Sequence, residues 1–156
     1  MTGVRLEIDS SSIERLQDRL AGFSGLPLND LRHAIGSEVE HQTRRRLQDE
    51  KTTPDGDAWQ ALDEGYAARK ALKSSGGILE RDGDLIDSIA YAVDGDEIEI
   101  GSPLVYAAIQ HFGGDEVGIP IVSRQFLGLS QDNENDLLAL VDQWLDQQVG
   151  GQSHAI

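Results

Sequence analysis

The sequence predicts an α+β fold in which N-terminal helices and a C-terminal helix pack on a small antiparallel sheet. Three observations carry this prediction. Apolar residues recur at helical spacing through residues 28–50 and again through 131–149. Apolar and polar residues alternate with a period of two over residues 4–8 and over two arms flanking Asp94-Gly95-Asp96. The 156 residues fit one domain, assigned to 1–149, large enough to bury a core without a staple, with 150–156 read as a flexible tail. No internal repeat is visible.

Val4, Leu6 and Ile8 alternate with Arg5 and Glu7, so the first element is a strand. Ser11 to Glu14 has the spacing of a capping box, and Ile13, Leu16, Leu20 and Phe23 follow at helical intervals until Gly22 and Gly25. A second helix opens at Pro27-Leu28-Asn29 with Asn29 as its cap, buries Leu31, Ile35, Val39 and Leu47, and reaches Glu50. Pro54-Asp55-Gly56 makes a turn in a loop that Trp59 and Leu62 anchor to the core. A short helix in 63–75 breaks at Ser74-Ser75-Gly76-Gly77, a hinge-like run.

The stretch 78–90 reads as a helical turn leading into a strand. Ile89 to Val93 and Glu97 to Ile100 form the clearest hairpin of the chain, stopped by Gly101-Ser102-Pro103. Tyr106 to Phe112 is a short helix ended by Gly113-Gly114. Residues 115–125 are a loop or short strand. The last helix is capped by Ser130 or Asp132 and carries Leu137, Leu138, Val141, Trp144, Leu145 and Val149 on one stripe, with Asp132, Glu134 and Asp136 at its electropositive end.

Charge divides the chain unevenly. The formal net charge is -15; residues 1–75 hold 11 of the 13 Lys and Arg and 13 of the 28 acids, so almost all of the excess lies beyond residue 75. Such a surface repels a phosphate backbone. It serves solubility, or a wall that faces DNA without holding it. The chain has no cysteine, which rules out disulfides and thiolate metal sites and suits a reducing cytoplasm. No apolar run approaches the length of a membrane span, and the N-terminus lacks an apolar signal core, so a soluble protein is expected.

Motifs for chemistry are missing. There is no phosphate-binding glycine loop and no nucleophile elbow. His33 and His41 are too far apart on a helix to share a metal, and no His-x-x-x-His spacing occurs. Asp94-Gly95-Asp96-Glu97 and Asp82-Gly83-Asp84 lack the twelve-residue calcium pattern and read as turns. His111, beside Phe112, is assigned a structural hydrogen bond over a ligand or catalytic role. No enzyme activity, no cofactor and no metal are expected.

An ordered set of landmarks remains: Pro54-Asp55-Gly56-x-x-Trp59-x-x-Leu62, Leu79 to Ile89 around Gly83, Gly101-Ser102, Val105 to Ile109, Phe112-Gly113-Gly114, Ile119-Pro120, Arg124, and Phe126 to Ser130. In order and spacing this resembles the phage virion morphogenesis family, the tail-completion or neck proteins of Mu-like and P2-like tailed bacteriophages. Two departures stand out. The family tends to read His-Gln-Phe-Gly where this chain has Gln110-His111-Phe112-Gly113, and Pro-Ala-Arg-Pro-Phe-Leu where Ile121-Val122-Ser123-Arg124-Gln125-Phe126-Leu127 follows Pro120. The moved histidine argues against an essential chemical role there.

The resemblance implies a virion component assembled in the host cytoplasm: a tail-completion or tail-terminator-like subunit of a hexameric ring in the neck, needed for head–tail joining. Its implied partners are other copies of itself, the tail tube protein and head-side neck proteins, with DNA passing nearby unbound and no membrane involved. A head-completion or adaptor protein at the portal, and an acidic mimic of DNA, are the alternatives. Eight residues are interface candidates: Arg44, Arg45, Arg46, Tyr106, His111, Phe112, Arg124 and Phe126. For the three consecutive arginines the competing role is to complement a helix C-terminus. For the aromatics it is the core, and for Arg124 a salt bridge within the subunit.

Overall fold

A computed structural model describes residues 3–8, 26–71, 78–79, 83–114, 117–118 and 121–153. In chain order they form β1 (Val4–Ile8), α1 (Leu28–Arg45) with a π-helical extension (Arg46–Glu50), α2 (Glu64–Ala71), α3 (Asp84–Ser88), β2 (Ala90–Asp94), β3 (Glu97–Ser102), α4 (Val105–Phe112) and α5 (Gln131–Ser153). The α+β prediction holds. The helix expected within 13–23 and the break at Ser74–Gly77 lie outside the described residues.

The strands form one antiparallel sheet in the order β1-β3-β2. The period of two places Ile98, Ile100 and Ser102 on the buried face of β3 and turns Glu97 and Glu99 outward. The register aligns Leu6, Ile100 and Tyr91 in one row and Arg5, Gly101 and Ala90 in the next. Arg5 forms an ion pair with Glu99 at 2.8 Å on the outer side. β3 runs to Ser102 instead of ending at Ile100, because Gly101 and Ser102 still have β1 partners, Arg5 and Val4.

Helix α1 is capped two residues earlier than expected. Pro27 occupies the N-cap position, and its carbonyl accepts from the Asp30 amide at 3.0 Å, so Asn29 lies inside the first turn and caps nothing. Leu31, Ile35, Val39, Gln42 and Thr43 face inward. Gly36 allows a close approach of helix to sheet: a Cβ there would lie 2.4 Å from the Tyr91 ring. The helix then widens into its π turn and stops at Lys51, in the left-handed region at φ 55, whose ammonium reaches the Leu47 and Ile78 carbonyls.

Helix α1 is the middle layer. The sheet covers one side, through β2 and β3, and α5 covers another. Leu137, Val141, Trp144 and Leu145 of α5 are buried in the same cluster as Ile98 and Ile100. Four such side chains contribute roughly 6–12 kcal/mol gross, at ~1.5–3 kcal/mol each, against the entropy of ordering them. Ser130 is the cap of α5: its hydroxyl accepts from the Asn133 amide at 3.0 Å, and the Asn133 side chain accepts from the Ser130 amide at 3.1 Å. The helix continues to Ser153, past Gly150-Gly151 where the tail was expected to begin, since glycine weakens a helix interior by only about 1 kcal/mol without ending it.

Candidate functional site

Residues 121–130 run as an irregular strap across one end of the molecule, and the buried cations converge on it. The three consecutive arginines take three directions, as the 100° step of a helix requires. Arg44 points to the α3–β2 junction, donating to the Ile86 and Ile89 carbonyls at 3.3 and 2.7 Å and pairing with Glu40 at 2.8 Å. Arg45 lies on the surface beside Glu50. Arg46 turns inward, is 1% exposed, and donates to the Phe126 carbonyl at 2.8 Å, the Gly128 carbonyl at 3.2 Å and Asn133 Oδ1 at 2.5 Å. Burial lowers its pKa, yet a guanidinium keeps its charge in a protein.

The strap's other face is tied to the loop before α2. Arg124 donates from Nε to the Gln60 carbonyl at 2.9 Å and from Nη2 to the Ala61 carbonyl at 3.3 Å. The Trp59 indole donates to the Gln125 carbonyl at 2.8 Å, and Trp59 is buried as expected. Arg124 was expected to pair with an acid of a neighbouring subunit, with a salt bridge inside the subunit as the competing role; within the subunit it takes backbone carbonyls, and burial lowers its pKa.

Helix α4 docks on the strap by its short edge. The Arg124 amide donates to the Gln110 carbonyl at 2.7 Å, and Ser123 Oγ to the His111 carbonyl at 2.6 Å. Gly113 ends the helix at φ 85, a conformation that side chains rarely adopt, and a Cβ there would press on Ser123 and Ile121. His111 Nδ1 accepts from the Phe126 and Leu127 amides at 3.3 and 3.4 Å, and its ring meets Phe112 and Phe126 edge to face. An acceptor Nδ1 requires the neutral ring, and burial pushes the imidazole down to about 4. The expected structural hydrogen bond of His111 is thus present, with backbone amides as its donors.

These contacts sort the eight candidates. Arg46, His111, Arg124 and Phe126 are buried within the subunit and serve its own packing and backbone, while Arg44 bonds its own chain with 39% of its side chain still exposed. Arg46 and His111 bond the backbone of the strap, which has no regular ladder of its own, Arg124 ties the strap to the loop before α2, Phe126 packs in the core, and Arg44 holds the α3–β2 junction. Arg45, Tyr106 and Phe112 remain at the surface.

The large apolar side chains exposed among the described residues are Tyr66, Val105, Tyr106, Phe112, Val117 and Val122, most of them on α4 or beside it. Ala107 and His111 face the core, whereas Val105 and Phe112, seven residues apart, share the outward face and are 64% and 68% exposed. Around the helix from them, Tyr106 and Gln110 line a cleft of about 960 Å³, walled by Leu62, Tyr66, Leu85 and Val122 and rimmed by Asp63, Glu64 and Asp84. Sequence reasoning missed Tyr66, Val105 and Val122. A usable signal was present: residues 100–114 contain no Asp, Glu, Lys or Arg in a chain that is 26% charged.

Among the described residues no three His, Cys, Asp or Glu side chains cluster as metal ligands, and no helix is long and apolar enough to cross a membrane. His33 is engaged with the Tyr91 hydroxyl at 3.2 Å. A small α+β subunit presents an uncharged helix face and a cleft beside it, over an interior stitched by buried cations. The chain belongs to the phage virion morphogenesis family, whose model matches residues 8–146. That membership gives it a structural or assembly role in the phage particle. No curated protein and no solved structure matched the chain.

Proposed function

We propose that this protein is a non-enzymatic tail-completion or tail-terminator-like subunit, assembled as a ring in the phage neck and required to join head and tail. The family match across residues 8–146 carries the reading. The side chains support it. The histidine closest to the strap is a core acceptor, and two arginines that could have served a reaction are held by backbone carbonyls. What the molecule offers outward is surface.

Its charge fits a place beside passing DNA. The solvent side of α5 carries Asp132, Asp136 and Asp146, all exposed, and Arg5, Arg32, Arg44 and Arg45 are paired with acids of the same chain. Such a wall repels a phosphate backbone and lets it slide. Particles assembled without the protein test the reading by electron microscopy. Filled heads and separate tails, or tails of irregular length, are expected; normally joined particles would contradict it. Coprecipitation from infected cells, with tail tube and not portal captured, separates this role from that of a portal adaptor.

A further inference from the structure

We draw no further inference here: the strongest candidate, the exposed apolar face of α4 at Val105 and Phe112 with the cleft beside Tyr106, is an unpartnered surface, and nothing in the structure shows what covers it.

Discussion

Replacing Arg46 with methionine tests whether the strap is held by a buried cation. The side chain is 1% exposed and donates to the Phe126 and Gly128 carbonyls and to Asn133 Oδ1. Methionine fills similar space but leaves the Phe126 and Gly128 carbonyls without this donor, each costing about 1–3 kcal/mol, whereas Asn133 Oδ1 keeps the Ser130 amide. Removing a desolvated charge offsets part of that loss, because a buried ion is itself costly to keep. The net is about 2–4 kcal/mol. For a domain of this size the melting temperature should fall by roughly 5–15 °C, at ~2–4 °C per kcal/mol. Arg46→Lys should recover little, because an ammonium lacks the planar fork that reaches three acceptors together. Urea denaturation followed by circular dichroism, with the slope checked for two-state behaviour, gives the free energy. A methionine variant within about 0.5 kcal/mol of the wild type would refute the reasoning, and the strap would have to be held by packing alone.

Further expectations follow from the same contacts. His111 binds a proton near 6.5 when unfolded and near 4 when folded, so the unfolded state holds more protons between those values. Stability contributed by the neutral ring is therefore complete above pH 6.5, falls towards pH 4 and is level below, by at most about 3 kcal/mol. His111→Gln should flatten that part of the stability curve relative to the wild type; parallel curves would contradict it. Arg124→Ala removes two donors to the Gln60 and Ala61 carbonyls and should destabilise the isolated chain by about 1–3 kcal/mol, read as a shift in denaturation midpoint; no shift would mean that solvent replaces the contacts. Gly36→Ala drives a methyl against the Tyr91 ring and should cost about 1–3 kcal/mol despite alanine's better helix propensity; an unchanged or raised midpoint would show that Tyr91 gives way freely.

The fold was legible where one period dominates a stretch. Alternation exposed β1 and the hairpin, and the stripes from Leu31 to Leu47 and from Leu137 to Leu145 exposed α1 and α5. Trp59 and the Ser130 cap were readable because each has a local cue, a turn before the indole and a polar side chain three residues later. The strap was not readable. Its bonds join residues with no local relation: Arg46 and Phe126 are 80 positions apart, Arg124 and Gln60 64. The fate of the three arginines was half visible, since Arg46 follows Val39 by two helical turns and so falls on the buried stripe. Its charge pointed to the surface, and only distant carbonyls resolve that conflict. At α4 the error was one of emphasis. Tyr106 and Phe112 drew attention as aromatics, while the absence of charge from residue 100 to 114 marked the whole surface, Val105 included.

The most direct test of the account is a cryo-electron microscopy reconstruction of the intact particle. The account predicts this chain at the head-proximal end of the tail as a closed ring, with the acidic side of α5 turned towards the DNA path. A reconstruction in which the chain is missing from the particle, or in which the acidic side of α5 faces away from the DNA in every copy, would contradict it.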